Sequence, residues 1–121
     1  MNEQTGGLHG APVTGVEERN GAIVVRLSGE LDLYNAHLVR EELFAAAGRA
    51  PERLIVELSA VTFIDSTGLG VLIEARSRLP NRRAFMLVGP GLETRRALEI
   101  SGLDRHFGVH GSLDAALSAP I

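Results

Sequence analysis

Cysteine is absent from all 121 residues, which removes disulfides, thiol nucleophiles and thiolate metal sites together. Lysine is absent too, and the twelve basic residues are all arginine. Without it there is no phosphate-gripping lysine of a P-loop and no Schiff-base chemistry. There is no tryptophan, and one Tyr with four Phe make a poor platform for stacking bases. Charge of one sign is also scarce. The net charge of −3 offers no basic field to a nucleic-acid backbone, and the pairs Arg82-Arg83 and Arg95-Arg96 read as solvated surface. No apolar run approaches the ~20 residues of a membrane-spanning helix. The opening Met1 to Gly7 has neither the positive nor the apolar region of a signal peptide. The expectation is a cytoplasmic protein that touches neither membrane nor nucleic acid directly. His9, His37, His106 and His110 lack metal-ligand spacing with neighbouring carboxylates, so structural roles are expected for them and no metal site.

What is present is a pattern of strands and helices in one domain. At 45% hydrophobic and 22% charged residues, the chain can build one core and is too short for two. Residues 1–11, polar and Gly-rich, read as a flexible tail before a domain over 12–121. Val13 to Glu18 and Ala22 to Leu27 read as two strands joined by an Asn20-Gly21 hairpin turn, the second ended by Ser28-Gly29-Glu30. A helix is expected from near Asn35 to Ala47, burying Ala36, Val39, Leu43 and Ala47, with Gly48 as its stop. Leu54 to Leu58 and Val61 to Ile64 are strand-like. A helix over about Thr67 to Leu79 follows, with Leu69, Leu72, Ile73 and Arg76 at helical spacing, the arginine needing a route to water. Ala84 to Val88 reads as a buried strand and Leu92 to Ile100 as a helix. Phe107 to His110 reads as a last strand, and Ser112 caps a helix to Leu117. Alternating strands and helices with an initial hairpin imply an α/β fold: a mixed sheet of about five strands, antiparallel in its first pair, with helices packed against it.

The segment Phe63-Ile-Asp-Ser-Thr-Gly-Leu-Gly-Val-Leu72 runs from an apolar strand into a helix start. Ser66 and Thr67 place two hydroxyls where helix N–H groups lack partners and the macrodipole is positive. An anion carried on either hydroxyl would be well placed there. Enzyme signatures fail one by one. The third glycine of a dinucleotide fingerprint would fall on Ile73, and the glycine of a nucleophile elbow would fall on Ile64. Two roles remain: a helix cap formed by Asp65, Ser66 or Thr67, and a site modified by another protein. Gly68 and Gly70 cost helix stability and leave the turn bare, which suits close approach by a partner, although tight packing of helix on sheet would equally select them. Gly29-Glu30-Leu31-Asp32-Leu33-Tyr34-Asn35 likewise ends a strand and leads into a helix. It is expected on the same sheet edge, where Glu30 and Asp32 add negative charge.

These stretches resemble the STAS family, and within it the bacterial anti-sigma factor antagonists. The resemblance rests on Leu27-Ser-Gly-Glu-Leu-Asp32 with Tyr34-Asn35-Ala36, on Val61 to Leu72, and on Ser101-Gly-Leu-Asp104 with Phe107. It covers about Val13 to Leu117. It implies a STAS-type domain that is no enzyme and carries no cofactor. Its partners would be an anti-sigma factor with serine kinase activity, which supplies its own ATP and Mg²⁺, and a metal-dependent serine phosphatase. The unphosphorylated antagonist would bind the anti-sigma factor and release the sigma factor; phosphorylation at Ser66 would end binding. Partner-binding residues carried over are Gly29, Glu30, Asp32, Tyr34, Asn35, Asp65, Ser66, Thr67, Gly68, Leu69 and Gly70. A monomer is the default expectation. Alternatives are a STAS scaffold subunit of a signalling assembly, or a STAS module binding a nucleotide or lipid.

Overall fold

A computed structural model describes residues 10–121; most of the expected tail, with His9, lies outside the described residues. The order is β1 (Val13–Arg19), β2 (Ala22–Leu31), α1 (Ala36–Gly48), β3 (Arg53–Ile64), α2 (Ser66–Ser77), β4 (Phe85–Val88), α3 (Leu92–Ser101), β5 (Gly108–His110) and α4 (Leu113–Ser118). Short 3-10 turns at Arg82–Ala84 and Leu103–Arg105 precede β4 and β5. The five strands lie in chain order, β1 antiparallel to β2 and all later pairs parallel. The hairpin turn puts Asn20 and Gly21 at φ 52 and 84°, the two positive values a type I′ turn requires.

Strand alternation splits the apolar residues between the two faces. On one, Ile23, Val25, Leu27, Leu54, Val56, Leu58, Phe85 and Leu87 form the main core with Val39 and Leu43 of α1, Leu69 and Leu72 of α2, and Leu98 of α3. On the other, Ala22, Val24, Ile55, Met86 and Val88 meet Ala116 of α4, flanked by Leu113 and Leu117. Central strands covered on both sides must be apolar at successive positions, hence the unbroken runs Ala22 to Val25 and Phe85 to Val88.

Three element readings change. β2 continues to Leu31 instead of stopping at Ser28-Gly29-Glu30, because β3 runs unbroken from Arg53 to Ile64 and pairs with that extension: Ser28 with Ala60, Gly29 with Val61, Glu30 with Phe63, Leu31 with Ile64. One extra β3 residue is accommodated at each of two register shifts there. Gly29 takes φ +77° with open space around it, so backbone conformation, not crowding, selects glycine. α2 spans Ser66–Ser77 rather than Thr67 to Leu79; Leu79 is buried beyond its end. Ile73, grouped with the buried stripe by spacing, is 42% exposed, while Val71 and Ala75 are buried. Arg76 is half-buried with its guanidinium over the Phe107 ring, 5.9 Å from the centroid. Phe107 itself precedes β5 and lies in the core against Phe85. Both arginine pairs are exposed, as are His37 and His106.

Candidate functional site

The extended ends of β2 and β3 run beyond β4, which pairs only with Leu54 to Glu57. Side by side, they deliver two turns to one edge: Asp32 to Asn35, leading into α1, and Asp65, leading into α2. This is the carboxyl end of parallel strands, where α/β sheets place their working surfaces.

Asp65 is the N-cap of α2. Its Oδ1 accepts from the Gly68 N–H at 2.9 Å, and its Oδ2 accepts from the Leu33 N–H at 3.2 Å. Its own N–H donates to the Leu31 carbonyl at 3.0 Å. Of the three candidates for the cap, Asp65 therefore takes the role, leaving both hydroxyls uncommitted. Ser66, the first helical residue, is exposed and Thr67 half-buried. The Ser66 and Thr67 N–H groups have no acceptor among the described residues, as expected for a first helical turn.

The opposite turn holds its own shape. Asp32 Oδ1 accepts from the N–H groups of Tyr34 at 3.0 Å and Asn35 at 3.3 Å. Asn35 Oδ1 accepts from the Asp32 N–H at 3.0 Å, while Asn35 Nδ2 donates to the Glu30 carbonyl at 2.7 Å. Asn35 thus shapes the loop instead of capping α1 through its side chain. Leu33 and Tyr34 project from this frame, 68% and 84% exposed. Phe63, opposite Glu30 in the sheet, is 47% exposed. Three large apolar side chains are thus exposed around one sheet edge.

The edge brings together Gly29, Glu30, Asp32, Tyr34, Asn35, Asp65, Ser66, Thr67 and Gly70. Gly68 and Leu69 are also at the helix start but buried. A methyl on Gly68 would lie 2.8 Å from Ile64 Cγ1 and 3.2 Å from the Leu31 carbonyl oxygen, whereas one on Gly70 would meet nothing within 4 Å. Gly68 therefore serves helix-on-sheet packing, and only Gly70 leaves open surface. Leu33 and Phe63 escaped the sequence reading. Leu31-Asp-Leu33 carries a strand-like alternation past the strand end, and the two register shifts hide which way Phe63 points. Among the described residues, no group of three or more His, Cys, Asp or Glu is placed to share a metal ion. No helix among them is long and apolar enough to cross a membrane. Ser101 and Gly102, by contrast, end a helix: Ser101 is the last residue of α3 and Gly102 closes it at φ +77°.

The family model described as "STAS domain" matches residues 14–116. The chain belongs to the STAS domain family. Among its STAS relatives, the anti-sigma-F factor antagonist RsfB of Mycobacterium tuberculosis is 33% identical over 103 residues, covering 85% of this chain and 84% of the relative. An anti-sigma F factor antagonist of Paenibacillus polymyxa is 37% identical over 93 residues, covering 73% and 77%. The crystal structure of an anti-sigma factor antagonist from Mycobacterium paratuberculosis superimposes with a TM-score of 0.81 at 36% identity, covering 88% of this chain and 92% of that one. Residues 14–116, which the family model matches, include the Asp65–Gly70 helix start.

Proposed function

We propose that this STAS protein is an anti-sigma factor antagonist working by partner switching in the cytoplasm, with a regulatory role and no catalytic one. In its unphosphorylated form it binds an anti-sigma factor that is also a serine kinase, and the sigma factor held by that kinase is freed to direct transcription. The kinase, with its own ATP and Mg²⁺, phosphorylates Ser66 and lets go; a metal-dependent phosphatase resets the protein, which acts as a monomer.

The observation that carries this reading is the exposed Ser66 hydroxyl on the first residue of α2, beside a capping carboxylate already committed to two N–H groups. Phosphorylation adds about −1.5 to −2 charges. The uncommitted N–H groups of Ser66 and Thr67 provide a place for that phosphate without refolding. At the contact surface the same charge joins Asp65, Glu30 and Asp32, and must be desolvated against them when a partner closes in. A penalty of ~3 kcal/mol weakens binding by more than a hundredfold. The names of the relatives support the partner class, and the exposed Leu33, Tyr34 and Phe63 supply an apolar docking area. The test is to capture the kinase-type anti-sigma factor on the unphosphorylated protein, add ATP and Mg²⁺, and map phosphate by mass spectrometry. Phosphate on Ser66, absent from Ser66→Ala, is expected; phosphate on Thr67 alone contradicts the assignment.

A further inference from the structure

Asp65 does more than a cap requires. A serine or threonine N-cap satisfies one N–H of its helix; Asp65 satisfies Gly68 with one oxygen and reaches out of the helix to Leu33 with the other. The Asp32–Asn35 turn closes its internal hydrogen bonds and its link to β2 by itself. Its side-chain tie to α2 is the Leu33 N–H on Asp65 Oδ2. Leu33 and Tyr34, the two most exposed apolar side chains of that turn, are thus tied to the Ser66 helix start by this one side-chain contact, in addition to the backbone bond from the Asp65 N–H to the Leu31 carbonyl.

We infer that Asp65 is a positioning residue: it locks the Leu33-Tyr34 docking loop in register with the Ser66 hydroxyl, so that the surface a partner grips and the atom it modifies form one rigid unit. The inference rests on the reading of Ser66 as phosphoacceptor. Its physical basis is preorganisation, since a loop already held in its bound shape loses less freedom when the partner docks. A carboxylate is needed because both targets are donors. Asparagine has one acceptor oxygen for Gly68, and its amide would turn N–H toward the Leu33 N–H.

The test uses the full chain carrying Asp65→Asn, with Asp65→Ser as the second variant should the first not fold; serine keeps the cap and is too short to reach Leu33. Amide hydrogen exchange by NMR reads the tie without any partner. The Leu33 amide is expected to exchange at least about tenfold faster, the lower end of the effect of losing a hydrogen bond to a charged group, while Gly68 stays within about twofold. In phosphorylation by the captured kinase, KM is expected to rise about tenfold with kcat unchanged, and the rise to persist at 0.5 M salt, where a screened charge effect fades. A Leu33 amide that exchanges at the wild-type rate overturns the inference, as does a wild-type KM or a KM rise that vanishes with salt. Failure of the Ser66 reading is separate: it appears as wild-type protein that takes no phosphate on Ser66, before any variant is compared.

Discussion

Gly68 and Gly70, two residues apart on one helix, have opposite reasons to be glycine. A Cβ on Gly68 would lie 2.8 Å from Ile64 Cγ1 and 3.2 Å from the backbone oxygen of Leu31, so Gly68→Ala forces α2 away from the sheet. The expected cost is ~1–3 kcal/mol, as for other overpacked sites. Gly70 has nothing within 4 Å of its Cβ position, so Gly70→Ala gains helix propensity and is expected to stabilise by ~0.5–1 kcal/mol. Urea unfolding of the two variants checks this. A second residue-scale prediction concerns Glu17, whose carboxyl is held below the usual carboxylate range, chiefly by its hydrogen bond from Arg26 and also by the charges of Arg26 and Arg19. A lowered folded-state pKa means the unfolded chain binds the proton more tightly. The Glu17 contribution is therefore present above the ordinary carboxylate range and is lost as pH falls through the lowered value. Glu17→Gln is expected to flatten the acid side of the stability-against-pH curve, measured by thermal melts from neutral pH downward; a slope equal to wild type contradicts the pairing.

The elements around the candidate site divide by how local their causes are. Helix starts and the β1–β2 turn follow from nearby residues: Asn20-Gly21 needs only its own two dihedrals, and the Ser112 cap needs only the Ala115 N–H three residues on. Both were legible in sequence. The lengths of β2 and β3 were not, because Ser28 to Leu31 is strand only when Ala60 to Ile64 lies beside it, with register shifts that no single segment encodes. Chain spacing likewise assigned Ile73 to the buried stripe, whereas the contact of α2 with the sheet selects Val71 and Ala75 instead. The Asp65–Leu33 tie crosses 32 residues of sequence and had no local signal. For the Leu33-Tyr34 loop, the expectation is that Leu33→Ala and Tyr34→Ala leave stability within ±0.5 kcal/mol, being exposed, yet both weaken partner binding, Tyr34→Ala by about tenfold or more as a truncated aromatic anchor does. Calorimetric titration alongside thermal melts separates the two effects. Wild-type partner affinity in both variants would remove the loop from the interface.

At the scale of the whole molecule, the proposed switch draws on a geometry the fold already holds. The sheet is apolar on both faces, α1, α2 and α3 covering one and α4 part of the other, and the ends of β2 and β3 run beyond β4 while still anchored in the core by Leu31 and Ile64. The Asp-Ser-Thr-Gly-Leu-Gly stretch, with the Gly29–Asn35 stretch at its distance in sequence, was enough to indicate the STAS family, and the resemblance supplies Ser66 as the proposed acceptor. The three-dimensional structure adds which carboxylate caps, which glycine packs, and that an apolar rim stands beside the hydroxyl. The central claim is that charge at Ser66 alone turns partner binding off. The most direct measurement is the affinity of the captured anti-sigma kinase for four forms of the protein: wild type, Ser66-phosphorylated, Ser66→Ala and Ser66→Asp. The account predicts that Ser66→Ala binds like wild type, while the phosphorylated form is weaker by more than about a hundredfold, equivalent to ~3 kcal/mol, and Ser66→Asp is weakened in the same direction. Phosphorylated protein or Ser66→Asp binding as tightly as wild type would contradict it.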